Sequence, residues 1–231
     1  MTKCPEIDAV LAGESNGCIV CGDCLEVMAA VPDRSVTVVG DSPYALGIGY
    51  KFFDDTTENV RALAAACVPE FKRIAACSLL TVGIEGLRNW PDWDWVLAWV
   101  TNKTNANGMW GFHSWQPIIA YGKCPYLSRG LGRRMDSRVG CGRVAKVNHP
   151  CPKPLDFMLW LVKRASARDT DIILDPFCGS GTTCVAAKQL GRPYIGIEID
   201  EGYCEIARKR LRETQPLFDK LKQKVEQKHL L

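Results

Sequence analysis

Apolar positions along the chain form short β-branched runs that alternate with longer helical stripes. Residues 36–39, VTVV, are β-branched throughout, as in a strand that is buried on both faces of a parallel sheet. A helical stretch with Leu25, Val27 and Met28 precedes this strand, and a second helix is predicted over 59–76. Further strands are predicted in the apolar runs 78–84, 95–100 and 118–121.

The second half of the chain has a regular order of helix and strand. Apolar residues at i, i+3, i+4 and i+7 predict an amphipathic helix, at Leu155, Met158, Leu159 and Val162. After it come a predicted strand 171–175, a helix 182–190 stopped by Gly191, a strand 194–200 and a helix 201–211. This βαβα order implies a parallel sheet with right-handed crossovers, and therefore an α/β fold.

Length and composition indicate an ordinary globular chain. Its 231 residues favour one domain, or one domain with an inserted lobe, and 47% apolar and 24% charged residues are typical values. No stretch reaches the roughly 18 uncharged apolar residues of a transmembrane helix, and residues 1–17 lack the regions of a secretory signal. We therefore expect a cytoplasmic protein with no membrane partner, whose twelve cysteines are reduced.

The net charge of +3 is unevenly distributed. Residues 122–148 contain seven cations and one anion, and residues 208–228 contain eight basic and three acidic side chains. The cations of the first segment are Lys123, Arg129, Arg133, Arg134, Arg138, Arg143 and Lys146. Basic patches of this kind attract polyanions, which favours a nucleic acid partner.

A glycine-rich turn, DPFCGSGTT at 175–183, lies between a predicted strand and a predicted helix. Gly179 and Gly181 allow the backbone to pass close to a ligand at a helix N-terminus. The next strand ends in Glu198, whose carboxylate can accept both hydroxyls of a ribose. Together these features indicate a nucleoside cofactor, with an ordinary strand-to-helix turn as the alternative. The sequence has no GK[ST], which excludes a P-loop, and lacks the third glycine of a dinucleotide site.

A second turn, DSPY at 41–44, follows the predicted strand 36–39 and should reach the same edge of the sheet. The Asp41 carboxylate and the Ser42 carbonyl can accept both N–H bonds of an exocyclic amine. Pro43 fixes the loop, and Tyr44 offers a ring face to an extruded base. Outside this context, a D-x-P-Y tetrapeptide is a common turn.

These two segments resemble the motifs of one enzyme family. DSPY resembles the (D/N/S)PPY catalytic motif of DNA amino-methyltransferases, and residues 175–183 resemble their S-adenosylmethionine-binding motif. Because DSPY comes first, the order is similar to the circularly permuted beta group of adenine-N6 and cytosine-N4 methyltransferases. Further segments resemble motifs of this group, at 22–28, 115–123, 149–154 and 196–200. The resemblance implies a Rossmann-like class I methyltransferase fold with a mostly parallel central sheet and a circularly permuted motif order.

The resemblance also implies roles for individual residues. The catalytic residues would be Asp41, Ser42, Pro43 and Tyr44. The residues expected to bind S-adenosyl-L-methionine are Asp23, Asp41, His149, Lys153, Asp175, Phe177, Gly179, Gly181, Thr182 and Glu198. The side chains expected to hold double-stranded DNA are Arg129, Arg133, Arg134, Arg138, Arg143 and Lys146. They lie in a small target-recognition insert, residues 122–148, within a single methyltransferase domain that spans residues 1–231. A homodimer is possible on this sequence and is not decided by it.

Two further features bear on the site. Ser42 replaces the first proline of the catalytic motif, and we expect this to loosen the loop. Cys18, Cys21 and Cys24 have CxxCxxC spacing, with Cys4 upstream, but a structural zinc site needs four ligands in paired loops. Because the segment from Cys21 to Cys24 straddles the turn assigned to the cofactor, we expect buried thiols and no metal.

The expected activity is S-adenosylmethionine-dependent methylation of an exocyclic amine on a flipped base in DNA. An acidic first residue, Asp41, resembles the adenine-methylating version of the motif, so adenine N6 is favoured over cytosine N4. Two other classes stay open. One is a methyltransferase that acts on RNA or on a protein amide. The other is a non-catalytic nucleic-acid-binding module with a decayed cofactor site, which the substitution at Ser42 motivates.

Overall fold

The computed structural model of the chain describes residues 4–101, 107–108, 111–112, 114–131, 135–140, 142 and 150–217. The helices are α1 (Pro5–Leu11), α2 (Cys24–Met28), α3 (Thr57–Ile74), α4 (Gly83–Gly86), α5 (Leu155–Ala165), α6 (Thr182–Gln189) and α7 (Glu201–Glu213). The strands are β1 (Gly17–Cys21), β2 (Val36–Asp41), β3 (Ala75–Thr81), β4 (Trp95–Val100), β5 (Asn107–Gly108), β6 (Gly111–Phe112), β7 (Trp115–Gly122), β8 (Ser137–Val139), β9 (Ile173–Asp175) and β10 (Tyr194–Glu198). Among the described residues, no helix is both long enough and apolar enough to cross a membrane.

Within these residues, eight strands form one sheet in the order β1, β10, β9, β2, β3, β7, β4, β8. The neighbours from β1 to β3 are all parallel, and β8 is parallel to β4. Strand β7 runs antiparallel to both β3 and β4. The sheet is therefore mostly parallel, as the βαβα pattern predicts.

Helices cover both faces of the sheet, and each face has its own apolar core. On one face, α5, α6 and α7 pack over Val39 and Ile173. On the other, α1, α2 and α3 pack over Val38 and Leu174. Adjacent residues of one strand enter opposite cores because side chains alternate along a strand. This confirms the prediction that the run 36–39 is buried on both faces.

The buried face of α5 differs from the predicted stripe. The buried residues of this helix are Phe157, Met158, Leu161, Val162 and Ala165. Leu155 and Leu159, which the spacing places in the stripe, are only partly buried and pack at the margin of the core. Since residues 155–162 are apolar except for Asp156, the pattern alone does not select one face. Packing against β2 and β3 makes that choice.

Some predicted boundaries also move. Residues 75–76, predicted as the end of a helix, begin β3, because Ala75 pairs with Val36 of β2. Tertiary pairing therefore overrides their helical preference. Residues 83–84, predicted as strand, begin α4 instead. The sequence pattern did not predict α1 or β8.

Five parallel strands end at one edge of the sheet. Their last residues are, in sheet order, Cys21, Glu198, Asp175, Asp41 and Thr81. Helix α6, which follows β9, packs on one face, and α3, which follows β2, packs on the other. The connections therefore diverge between the neighbouring strands β9 and β2. Such a switch point opens a crevice at the carboxyl ends of the strands, where α/β folds bind ligands.

Candidate active site

A cleft lies at this switch point. Its walls come mainly from residues 22–24, 41–43, 50–53, 151–153, 175–180, 182–183 and 197–200. The predicted site residues that line it are Asp23, Asp41, Ser42, Pro43, Lys153, Asp175, Phe177, Gly179, Thr182 and Glu198. The fold therefore brings together segments from both ends of the chain. Tyr44 and Gly181 lie beside the cleft without lining it, and His149 lies outside the described residues.

Three side chains donate hydrogen bonds to the carboxylate of Asp41. Lys153 Nζ lies 2.8 Å from Oδ2. The Tyr44 hydroxyl donates to Oδ1 over 2.9 Å, and the Thr81 hydroxyl donates to the same oxygen. A carboxylate has about four acceptor positions, so about one remains on Oδ2. The carboxylate is thus held in one orientation and keeps capacity for a further donor.

The ammonium of Lys153 is largely buried, with 13% of its side chain exposed. Burial opposes its charge, but the neighbouring Asp41 and Tyr44 raise the pKa of Lys153 above its ordinary value. Lys153 is therefore a cation at neutral pH. Because an ammonium carries three N–H bonds, it can hold Asp41 and a further acceptor in the cleft.

Ser42 anchors the catalytic loop to the neighbouring strand. It is buried, and both its N–H and its hydroxyl donate to the carbonyl of Thr81, over 3.1 and 3.0 Å. The expectation that Ser42 loosens the loop was wrong. A serine has the backbone N–H and the hydroxyl that proline lacks, and here both groups are bonded.

The ring of Tyr44, predicted to stack on a base, already contacts other residues of the protein. Its ring packs against Gly83, where an added Cβ would lie 2.7 Å from the ring. The ammonium of Lys153 lies over the Tyr44 ring, 4.7 Å from its centroid. In this structure Tyr44 orients Asp41. Stacking of a base on its ring stays a prediction.

Glu198 ends β10, and both of its carboxylate oxygens accept backbone N–H bonds. Gly179 donates to Oε2 over 2.8 Å, and Asp200 donates to Oε1 over 2.9 Å. Burial raises the pKa of Glu198, although these backbone bonds work in the opposite direction. The first bond ties the glycine turn to the next strand. Each oxygen keeps a second acceptor position, as an interaction with ribose hydroxyls requires.

Asp175 is a buried acid beneath the glycine turn. Its carboxylate accepts the N–H of Phe177 over 3.0 Å. Burial raises the pKa of Asp175 to about 7, and the carboxylates of Asp41 and Glu198 add to this, while hydrogen bonds from Thr183 and Phe177 lower it. The floor of the cleft therefore contains an acid that is partly protonated at neutral pH.

The two glycines of the turn have different roles. Gly179 lines the cleft with a φ of +50°. Gly181 precedes α6 with a φ of +83°, and an added Cβ would lie 2.8 Å from the Cβ of Ala207 in α7. The expectation that the backbone of Gly181 passes close to a ligand stays a prediction. Glycine is required at this position by the close packing of α7.

Two predicted cofactor residues are also engaged within the protein. Asp23 caps α2, where its Oδ1 accepts the N–H groups of Leu25 and Glu26 over 2.8 and 3.2 Å. The Thr182 hydroxyl accepts a hydrogen bond from Arg210 over 3.1 Å. Both residues line the cleft, so their assignment to the cofactor stays a prediction.

Sequence reasoning missed Thr81 and Asp55. Thr81 ends β3 at the same edge as Asp41, but the predicted strand 78–84 continued past it, so the sequence pattern did not mark this position. Asp55 is buried, and its carboxylate accepts the N–H groups of Ala45, Leu46 and Ile48 over 2.9, 2.9 and 3.2 Å. These bonds fold the loop after DSPY so that residues 50–53 form one wall of the cleft. No local pattern marks Asp55 for this role.

Two of the predicted DNA contacts are paired with carboxylates. Arg129 lies 3.7 Å from Asp171, and Arg138 lies 3.1 Å from Asp156. A DNA phosphate would compete with these partners. The remaining predicted contacts, Arg133, Arg134, Arg143 and Lys146, lie outside the described residues.

Comparisons with known proteins identify the family. A family model described as DNA methylase, for N6 and N4 methyltransferases, matches residues 88–209. YubD of Escherichia coli strain K12, provisionally named a methylase, is 32% identical over 210 residues, which cover 84% of this chain and 89% of that protein. This chain belongs to that DNA methylase family. It spans 20 to 23% of the length of the type II methyltransferases that it matches over 63 to 71 residues.

Solved structures share the fold. The cytosine-N4-specific PvuII DNA methyltransferase superposes with a TM-score of 0.67 at 15% identity, covering 85% of this chain and 86% of that one. The complex of M1.HpyAVI with SAM gives a TM-score of 0.59 at 20% identity, with coverages of 84% and 99%. These matches confirm the predicted Rossmann-like methyltransferase fold.

Proposed function

We propose that this chain transfers the methyl group of S-adenosyl-L-methionine to the N6 amine of an adenine flipped out of double-stranded DNA. The observation that carries the proposal is the convergence of Asp41, Asp175 and Glu198 on one cleft. These carboxylates end three neighbouring strands, β2, β9 and β10. Together they suit a positively charged nucleoside ligand.

The residues of the cleft fit each part of this cofactor. The apolar side chains of Phe177 and Ile199 line the same cleft as Glu198, which suits an adenosine with two ribose hydroxyls. Lys153 offers a cation to the carboxylate of the amino acid part. When bound, S-adenosylmethionine supplies an activated methyl group on a positively charged sulfur.

Asp41 would receive the target amine. One amine hydrogen donates to the remaining acceptor position of Oδ2 and the other to the Ser42 carbonyl, which turns the nitrogen lone pair toward the methyl group. Lys153 and Thr81 keep the carboxylate from rotating. Catalysis then rests on orientation and charge complementarity, because the base needs no covalent attack. The proton that the amine sheds finds an acceptor in Oδ2.

The choice of adenine rests on the acidic first residue of the motif. A carboxylate is a strong acceptor for the N6 amine, yet the N4 amine of cytosine offers the same two hydrogens on a smaller ring. The alternative target is therefore cytosine N4 in the same cleft. The basic insert at 122–148 suits the phosphates of duplex DNA, with Arg133 and Arg134 as the first side chains to test.

The test uses the purified chain with radiolabelled S-adenosylmethionine and unmethylated genomic DNA. Nuclease digestion and nucleoside chromatography should place the label in N6-methyladenine, and the Asp41→Asn variant should incorporate label about 10²- to 10³-fold more slowly. Label in N4-methylcytosine alone would overturn the adenine assignment and leave the class intact.

Parallel incubations with RNA and with a protein extract test the other substrate classes. Label in either of these, and none in DNA, would overturn DNA as the substrate. A chain that binds the cofactor and transfers no methyl group to any of the three would instead be a non-catalytic binding module.

A further inference from the structure

Two thiols and a carboxylate meet outside the cleft, where the end of β1 approaches the first turn of α7. The residues are Cys21, Glu201 and Cys204, and their sulfur and carboxylate oxygen atoms all lie within 4.8 Å of one another. Around a tetrahedral zinc ion, with Zn–S of about 2.3 Å and Zn–O of about 2.0–2.2 Å, ligand atoms are roughly 3.4–3.8 Å apart. Side-chain adjustments of about 1 Å would therefore close such a site.

We propose that Cys21, Glu201 and Cys204 bind a divalent thiophilic cation of the zinc class, with water as the fourth ligand. Soft thiolate ligands select zinc over magnesium or calcium. Cys21 and Glu201 are exposed, so a metal ion can enter from solvent, and Cys204 is buried beneath them. The ligand set and the access are those of a three-ligand zinc site with an open position.

The carboxylate of this group is already oriented. Arg208 forms an ion pair with Glu201, and its guanidinium also donates to the carbonyl of Ile19 in β1 over 3.0 Å. Hydrogen-bonded partners of this kind hold metal-ligating carboxylates in place. Two thiolates and one carboxylate carry three negative charges, which Arg208 and a divalent cation together would balance. Arg208 therefore holds the Glu201 carboxylate in place beside the two thiols.

Cations of the zinc class bind the thiolate form of cysteine. Both thiols would therefore release their protons to the buffer when the cation binds.

A cation bound at this position would connect two elements of the fold. The Cys204 thiol donates to the carbonyl of Glu198 over 3.5 Å, and the Cys21 thiol donates to the carbonyl of Ile199 over 3.7 Å. A cation would link β1 to α7 directly behind the backbone of Glu198. We expect it to stabilise the fold, and this holds whether or not the chain methylates DNA.

The CxxCxxC motif would supply Cys18, Cys21 and Cys24 as ligands, whereas the fold brings Cys21 together with Glu201 and Cys204. Cys24 lies in the opposite core, with its sulfur 4.0 Å from the sulfur of Cys67. Cys18 and Cys21 are three residues apart in β1 and therefore face opposite sides of the sheet, while Cys24 lies beyond the strand in α2. Cys21 meets α7 instead. The expectation of no metal considered only the CxxCxxC cysteines and the turn assigned to the cofactor, and it did not include Glu201 and Cys204.

Cobalt titration tests the site. The full chain is stripped with a chelator, kept reduced, and titrated with Co²⁺, whose thiolate complexes absorb in the near ultraviolet. We expect one Co²⁺ per chain, displaced by Zn²⁺. Cys21→Ser and Cys204→Ser should abolish the thiolate absorption. Arg208→Gln should weaken the binding about 10- to 100-fold, the usual cost of losing a partner behind a ligand.

Cys4→Ser is the matched control, because Cys4 also lies beside a carboxylate, 3.7 Å from Glu6, but belongs to no three-ligand group within the described part of the chain. It should bind Co²⁺ as the wild type does. Glu201→Gln keeps the proposal testable if a cysteine variant fails to fold, since this side chain is exposed, and it should weaken binding at least about tenfold. Absence of thiolate absorption in the wild type, or equal absorption in the wild type and Cys21→Ser, would overturn the site.

Discussion

Lys153 and Asp41 form a 2.8 Å ion pair in the cleft, although 112 residues separate them in the chain. Their side chains are only 13% and 24% exposed, so solvent screens the pair weakly. The contact joins the end of β2 to the segment before α5. It therefore links the predicted amine acceptor to the predicted cofactor contact, and removal of either partner leaves a poorly solvated charge.

Asp41→Asn should abolish most methyl transfer while S-adenosylmethionine still binds. The amide lacks the negative charge and one acceptor, so the target amine is no longer oriented. We expect kcat to fall about 10²- to 10³-fold. Single-turnover assays and equilibrium dialysis measure the two quantities. Retention of more than about a tenth of wild-type turnover would remove Asp41 from this role.

Thr81→Val should lower kcat about tenfold or more, because its hydroxyl is a donor to the Asp41 carboxylate. Valine keeps the shape of the side chain, and the Thr81 carbonyl that holds Ser42 stays in place. Thr81→Ser retains the hydroxyl and should keep most of the activity. If both variants lose activity equally, the methyl group and packing matter more than the hydrogen bond.

Glu198→Gln should weaken binding of S-adenosylmethionine by about 1–3 kcal/mol, because a charged acceptor for the ribose is lost. It should also lower the melting temperature, since both carboxylate oxygens accept N–H bonds, from Gly179 and Asp200. Isothermal titration and thermal unfolding give the two values. An unchanged dissociation constant would contradict the ribose assignment.

Asp175 predicts a specific pH dependence of stability. Its pKa of about 7 in the folded protein lies above the ordinary value of 3.8, so the native state binds the extra proton between these values. The contribution of this group to the free energy of unfolding should therefore fall as pH rises from about 4 to 7, by at most about 4 kcal/mol.

Asp175→Asn cannot lose this proton, so its stability relative to the wild type should be higher at pH 8 than at pH 5. Urea unfolding of both proteins at the two pH values provides the measurement. A difference that does not change with pH would mean that Asp175 titrates outside this range.

Neutralisation of the predicted DNA-binding arginines should reduce the dependence of DNA affinity on salt. Arg133→Gln with Arg134→Gln should flatten the plot of log affinity against log salt by roughly 0.9 for each DNA phosphate that the protein no longer neutralises. Arg138→Gln should have a smaller effect, because Asp156 already pairs with Arg138. Fluorescence anisotropy at several salt concentrations tests this. An altered sequence preference with an unchanged slope would show that Arg133 and Arg134 bind bases.

Local sequence patterns were sufficient for the elements that present the candidate site. The run 36–39 is buried on both faces, and the glycine turn connects β9 to α6, as their patterns predict. In a parallel sheet the carboxyl ends of neighbouring strands share one edge. Their sequence positions alone therefore predicted that Asp41 and Glu198 would lie near one cleft.

Other features were decided only by the tertiary structure. The partners of Asp41, the place of Asp55 in the loop and the approach of Cys204 to Cys21 all join segments that are distant in sequence or turned by a loop. Short-range periodicity determines whether a residue is buried and in which element. It does not determine which element packs opposite, because that depends on strand order and on the packing of both cores. For the same reason the predicted stripe of α5 included Leu155 and Leu159, which the packing leaves only partly buried.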